Sequence, residues 1–137
     1  MIEIKFRGLT EDGKWVYGDL VRIEYDTQTE YYVSNPKSSY PLHGAILAPN
    51  VTKVISETVG QFTGLLDKNG KELDWWEGDI LARSFDRKIE GVITFDMGCF
   101  WLQRKRSGQT LLYECVDWSV YKIGNIHKNP ELLKEEQ

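Results

Sequence analysis

Hydrophobic and polar residues alternate with period two along most of the chain, which is the signature of half-buried strands. Ile2, Ile4 and Phe6 alternate with Glu3, Lys5 and Arg7. Asp12-Gly13 predicts a type I′ hairpin turn, which needs positive φ at both central residues. That turn sets Glu11 opposite Lys14, Thr10 opposite Trp15 and Leu9 opposite Val16. Val21, Ile23 and Tyr25 share one face, followed by the polar turn Asp26-Thr27-Gln28-Thr29 and the return strand Glu30-Tyr31-Tyr32-Val33. Over residues 34–50 the alternation fails: Pro36, Pro41, Pro49, Gly44 and three serines predict a long irregular loop. Short strands follow at residues 51–55 and 59–62, and Asn69-Gly70 is a second hairpin signal.

The C-terminal half reads more sharply. Residues 78–81 open a strand, and residues 88–96 form another with Ile89, Gly91, Ile93 and Phe95 in phase. Met97-Gly98 turns the chain into residues 99–103, a tip at 104–109 reverses it into 110–116, and 120–126 is the last strand. Asn129-Pro130-Glu131 predicts a helix start, with Asn129 as cap, Pro130 at the first helical position and Leu132 and Leu133 as anchors. Short strands, closely spaced turns and one terminal helix predict an all-β protein of barrel or sandwich type. We divide it into residues 1–57, carrying the long loop, and residues 58–137, an SH3-like or related small β-barrel with the short helix. Asp12-Gly13-Lys14 before Gly18-Asp19 is echoed by Asn69-Gly70-Lys71 before Gly78-Asp79, but the spacings differ, so the echo is read as a repeated turn device.

Composition narrows the function classes. With 137 residues, 41% hydrophobic and 28% charged, the chain is long enough to bury a core and has the balance of a soluble globular protein. A net charge of −4 argues against wholesale coating of nucleic acid or anionic membrane. No apolar run approaches the roughly 20 residues of a membrane span, and MIEIKFRG is no signal-peptide core, so a cytoplasmic, membrane-free protein is expected.

The candidate chemistry is sparse. Cys99, Cys115, His43 and His127 lie at no metal-ligand spacing, so no metal or cofactor is predicted, and the cysteines are read as small buried thiols. No Walker A, GxGxxG or G-x-S-x-G motif is present. Glu77 and Asp79 could form an acid–base or cation-binding pair. The repetition of Gly-Asp at Gly18-Asp19 favours a structural role instead, the carboxylates accepting backbone N–H groups at turns. Arg104-Lys105-Arg106, with Arg83, Arg87 and Lys88, is the one basic concentration, and Trp101, Trp75 and Trp76 could supply stacking surfaces near it. The bland alternative is a solvated hairpin tip whose charges discourage edge pairing. Trp101 and Trp118 fall in strand patterns and are assigned to the core. Trp75 and Trp76 cannot both face inward on a strand, because neighbours point to opposite faces, so one of them is expected at solvent, a bulge or an oligomer contact.

Four segments together carry a family likeness. KFRGLTEDGKWVYGDL at 5–20, VGQFTGLLDKNGKEL at 59–73, EGDIL at 77–81 and IGNIHKNPELL at 123–133 resemble the YopX family in order, across nearly the whole chain. The resemblance implies a protein encoded by a phage or prophage, with a β-rich fold and a barrel-like C-terminal region. It implies no activity and no catalytic residue. Leu73-Asp74-Trp75-Trp76 is longer than the family's usual connection into Glu-Gly-Asp, which bears on the local register there.

The functional expectation is a non-enzymatic binding or assembly module that self-associates and meets a phage or host protein. The candidate interaction residues are Trp75, Trp76, Trp101, Arg104, Lys105 and Arg106. The rival from another class is a single-stranded nucleic-acid binder using the basic hairpin and those tryptophans.

Overall fold

The computed structural model describes residues 3–42, 46–104 and 108–134, and for residues 36–50 the backbone alone. The described residues are all-β, with two five-stranded antiparallel sheets and one short α-helix among them. It divides into two compact units, Met1–Phe62 and Thr63–Gln137.

In the first unit β1 (Phe6–Leu9), β2 (Trp15–Glu24), β3 (Thr29–Leu42), β4 (Ile46–Val54) and β5 (Gly60–Gln61) lie in the order β4-β3-β2-β1-β5. The division falls beyond β5 because Gly60 and Gln61 pair with Arg7 and Phe6. Strand β1 begins later than the alternation predicts, and Ile4 is left exposed. Its hairpin register is also one residue away from the predicted one: Leu9 pairs with Trp15 and Gly8 with Val16. The cause is the turn. Only Gly13 takes positive φ, Thr10 N–H donates to Lys14 O and Gly13 N–H to Thr10 O, which makes a longer loop closed by a left-handed glycine. A shift of one residue exchanges the two faces of the strand. Asp67, Gly70 and Lys71 repeat the device, with Asp67 N–H donating to Lys71 O and Gly70 N–H to Asp67 O. The echo in the sequence is therefore a shared turn.

The described part of residues 34–50 is strand rather than loop. Strand β3 runs on to Leu42 and returns as β4, with Tyr40, Pro41 and Leu42 opposite Ala48, Leu47 and Ile46. The prolines that break the pattern are tolerated because β2 pairs with β3 only as far as Ser34, and β4 is an edge strand. A missing N–H costs no ladder bond on an unpaired side. Pro36 falls where the register shifts between Asn35 and Tyr40. The tip, with His43, lies outside the described residues.

In the sheet β2-β3-β4, Leu20, Val33 and Thr52 form one cross-strand row, and Arg22, Tyr31 and Val54 the next on the same face. Val33 and Val54 are buried there, with Leu9 and Phe62 also in the unit's core. Gly8 is required beneath Val54, since a Cβ would lie 2.7 Å from the valine Cβ. The opposite face carries Val21 and Ile23, so the predicted stripe exists but points outward.

The second unit is a meander with a return: β6 (Asp79–Arg83), β7 (Ile89–Asp96), β8 (Cys99–Gln103), β9 (Gln109–Leu111), a 3-10 turn at Leu112–Cys115, and β10 (Val120–Asn125) beside β6. Leu81, Ile93 and Leu102, one from each central strand, meet Leu112 and Cys115 of the 3-10 turn and Trp75 in one buried cluster. Met97 and Gly98 both take positive φ in the two-residue turn between β7 and β8. Phe95, expected in phase with the core, is exposed.

The terminal segment is fastened by its asparagines. The Asn125 Oδ1 accepts the N–H groups of His127 (3.0 Å) and Lys128 (2.9 Å), and Asn129 Oδ1 accepts that of Asn125 (3.1 Å). Asn129 thus turns back to β10, and its carbonyl rather than its side chain receives the Leu132 N–H of helix α1 (Glu131–Lys134).

Candidate interaction site

Of the Glu77/Asp79 pair, Asp79 is buried and bonded within the fold, and Glu77 is half-buried. The Asp79 Oδ2 accepts the Trp76 backbone N–H at 2.8 Å while Lys122 Nζ stands 3.5 Å away. Lys122 is held in turn by the Asp74 carbonyl at 2.6 Å and its Oδ2 at 3.1 Å. A buried carboxylate committed to a backbone amide and to a partly exposed ammonium closes the Glu-Gly-Asp turn, which Gly78 permits with φ of +94°. Asp19, the other half of the sequence echo, is exposed on β2. Among the described residues no group of three or more His, Cys, Asp and Glu side chains is placed to hold a metal ion.

Trp75 and Trp76 are both buried, contrary to the expectation that one faces outward. The strand premise is what fails. The chain is turning here: the Trp75 carbonyl accepts the Thr63 N–H, and Trp76 donates its backbone N–H to Asp79 and its Nε1 to Asp74 Oδ1 at 2.7 Å. Successive side chains in a turn need not alternate, so both enter the interior and neither offers a docking surface. Trp101 is half-buried on β8 and donates Nε1 to the Asp96 carbonyl at 2.9 Å. Lys105 and Arg106 lie outside the described residues.

Trp118 departs from its core assignment in the other direction. It is 41% exposed, in the turn that joins the 3-10 segment to β10. Phe85, which no pattern singled out, is 78% exposed. The backbone brings their segments side by side: Arg83 pairs with Val120, Ser84 N–H donates to Ser119 O at 2.8 Å, and Phe85 and Trp118 are the next residues beyond that bond in the two segments.

Two arginines tie these rings to one carboxylate. Between Leu81–Gly91 and Ala82–Ile89 the β6–β7 register shifts, which leaves Glu90 as the extra residue of a bulge. Its Oε1 lies 3.6 Å from Arg83 Nε and its Oε2 3.4 Å from Arg104 Nε. Arg83 lies over the Phe85 ring at 5.1 Å and Arg104 over Trp118 at 5.3 Å. Arg83 also holds Asp86 at 2.7 Å, and Arg104 donates to Thr110 Oγ1. Burial pushes the Asp86 carboxyl up, but the Lys88 N–H and Arg83 outweigh it and hold it below the ordinary range. Arg87 and Lys88 are exposed on the same turn, Arg87 with a left-handed φ of 61°. Glu114 and Asp117 are exposed on the approach to Trp118. Among the described residues this end thus carries two exposed aromatic rings, each with an oriented arginine, and nearly balanced charges. Arg104 and its basic neighbours were visible in the sequence. Phe85 and Glu90 were not, because the β6–β10 pairing places the first and the bulge the second.

A groove of about 570 Å³ on the first unit is lined by Glu11, Glu30, Lys53, Ile55 and Glu57, among others. Its central charges are mutually engaged: Lys53 Nζ reaches Glu30 Oε2 at 2.6 Å and Tyr32 donates to Glu30 Oε1 at 3.0 Å. The Lys53 and Tyr32 bonds hold the Glu30 carboxyl below its ordinary range.

The family model described as YopX protein matches residues 5–134, nearly the whole chain. The chain belongs to the YopX family. Its segments of family likeness are, in this structure, largely turn and core devices: the Gly13 and Gly70 hairpins, the Asp79 turn and the Asn125–Asn129 lock. Among solved structures, protein EF1440 from Enterococcus faecalis is similar in fold, with 22% identity, a TM-score of 0.56 and coverage of 97% of this chain and 99% of that one. No curated protein matches the chain. Among the described residues no helix is long and apolar enough to cross a membrane.

Proposed function

We propose that this YopX-family chain is a phage- or prophage-encoded, non-enzymatic binding and assembly module of the cytoplasm. The observation that carries the reading is the Phe85–Trp118 platform, which leaves two aromatic side chains in solvent and holds an arginine over each. Exposed aromatics beside oriented arginines have the composition of an interaction centre. Among the described residues the nearby charges, Arg83, Arg87, Lys88 and Arg104 against Asp86, Glu90, Glu114 and Asp117, are evenly matched. The acids interleaved with these arginines favour a protein partner from phage or host over a polyanion. Affinity capture of the tagged chain from phage-infected or prophage-induced cells tests it. A partner retained by the wild type and lost by Phe85→Ser with Trp118→Ser supports the reading; identical captures by both proteins overturn it.

The second unit is proposed as an SH3-like or related small barrel. Support comes from β10 returning beside β6 and from the 3-10 turn, whose Leu112 and Cys115 pack on the same side of the sheet as Leu81, Ile93 and Leu102. Curling around that shared core would bring the two outer strands toward each other.

A second reading keeps the same platform but gives it a single-stranded nucleic acid, with bases stacking on Trp118 and Phe85. The arginine–aromatic stacking favours it, although the tryptophans differ from those expected. Titration of Trp118 fluorescence with a labelled homopolymer at low salt decides it. Binding that weakens steeply with salt supports this reading, and no binding at low salt removes it.

A further inference from the structure

We propose that the turn between β6 and β7 receives an acidic segment of a partner protein. An apolar side chain of that segment covers the open face of Phe85, and its carboxylates pair with Arg87 and Lys88. This rests on the Phe85–Trp118 reading above and names the chemistry of the partner.

The turn is fixed by its backbone. Arg83 N–H donates to Lys88 O and Arg87 N–H to Arg83 O, each at 2.8 Å, which closes residues 84–87 into a four-residue loop. Arg87, the last of them, is left-handed with φ of 61°. Other turns of this chain give a left-handed position to glycine: Gly13, Gly70, Gly98 and Gly108 all have φ between 79° and 83°. Arg87 and Met97 are the non-glycine exceptions among the described residues. A side chain at such a position costs conformational energy that glycine avoids. Nothing within the chain offsets that cost at Arg87, because among the described residues its side chain and that of Lys88 make no hydrogen bond or ion pair. The inference from strain to function starts here.

Charge selects the occupant. The one acid of the turn, Asp86, is bound to Arg83 through both oxygens, at 3.2 and 2.7 Å, and Glu90 beyond it is shared between Arg83 and Arg104. Arg87 and Lys88, both exposed, are left as the excess positive charge of the turn. Between them and Arg83 stands Phe85, the most exposed large hydrophobic side chain among the described residues, with Arg83 over one face of its ring. Clustered cations beside an apolar anchor hold acidic segments, and they repel basic ones. A polyanion that stacks on both rings also meets Glu114 and Asp117, exposed in the segment before Trp118. A short acidic segment needs the turn alone.

Amide chemical-shift titration of the full chain tests it. The probe is a capped pentapeptide with one phenylalanine between two pairs of acidic residues, set against the same peptide with lysines in place of the acids and against a thymidine homopolymer. Salt-sensitive shifts centred on residues 84–88 are expected with the acidic peptide. Arg87→Gly relieves the left-handed backbone, so it leaves the fold at least as stable while weakening the acidic peptide by about threefold. Arg87→Glu with Lys88→Glu weakens it by about tenfold or more. Weaker binding without a lower melting temperature is the signature that a merely structural role does not give. No shifts with the acidic peptide, equal shifts with the basic one, tighter binding of the homopolymer at this turn, or binding indifferent to Arg87 and Lys88 overturns the inference. The capture experiment separates the two readings. A partner lost by Phe85→Ser with Trp118→Ser, but retained in full by Arg87→Glu with Lys88→Glu, leaves the Phe85–Trp118 reading standing and removes this one.

Discussion

The Arg104 guanidinium lies 5.3 Å from the centre of the Trp118 ring, and Glu90 holds it there. Glu90 also reaches Arg83, so one carboxylate orients two cations over two aromatic rings. Replacing it with glutamine keeps the shape but removes the charge. Because all three side chains are partly exposed, the stability loss is expected to be only about 1 kcal/mol. A double-mutant cycle on Arg104 and Trp118 should give a coupling of about 0.5–1 kcal/mol in the wild-type background. In the Glu90→Gln background that coupling should fall. Denaturant midpoints with unchanged m-values measure both, and an unchanged coupling would show that Glu90 does not position Arg104.

Asp79 and Glu77 are separated by one residue and differ in burial. Asp79→Asn removes the negative charge from a buried site that accepts the Trp76 N–H and faces Lys122. It should cost about 2–4 kcal/mol, because the lysine loses its buried counter-charge. Glu77→Gln, at a half-buried position, should cost less than about 1 kcal/mol. Thermal melts of the two variants compare them directly. Equal losses would mean that the turn does not depend on the Asp79 carboxylate.

Gly18 and Gly13 both take positive φ, but their surroundings differ. A Cβ on Gly18 would stand 2.1 Å from the Ser34 carbonyl oxygen at φ of +151°, whereas a Cβ on Gly13 meets nothing within 4 Å at φ of +83°. Gly18→Ala must move β3 away from β2 and should cost about 3 kcal/mol or more. Gly13→Ala incurs only the backbone strain, about 1 kcal/mol. Urea unfolding that ranks the two in the opposite order would contradict the close approach at Gly18.

What could be read from the sequence followed from how local each cause is. Period two and hairpin glycines are local, so the all-β class and most second-unit strands were visible. The face that a strand buries is not local: Val21 and Ile23 alternate correctly yet point outward, because the core of that unit is built from Val33 and Val54 on the other face. Proline is locally a breaker, but its cost vanishes where a strand has no neighbour on one side, and this concealed the β3–β4 hairpin. The site suffered most. Trp75 and Trp76 were judged by strand geometry in a segment that turns, and the Glu90 bulge that assembles Arg83 and Arg104 leaves no local mark.

Cys115 offers a pH-dependent check on the second core. Burial among Leu81, Ile93, Leu102 and Leu112 raises its thiol from an ordinary 9.0 to about 11. The fold thus favours the neutral thiol. For a group whose folded pKa is raised, the stabilising contribution is complete below the unfolded value and is lost as pH climbs through the folded one. The stability difference between wild type and Cys115→Ala should therefore hold constant up to about pH 9 and shrink between there and about pH 11. Taking the difference removes the other alkaline titrations, including Lys53 and Tyr32, which Glu30 raises in both proteins. Alkylation with iodoacetamide at pH 8 should modify the half-buried Cys99 well before Cys115, because the latter presents little thiolate and no open path. Native labelling of Cys115 at the rate of Cys99, mapped by mass spectrometry, would show that the 3-10 turn over this core opens readily.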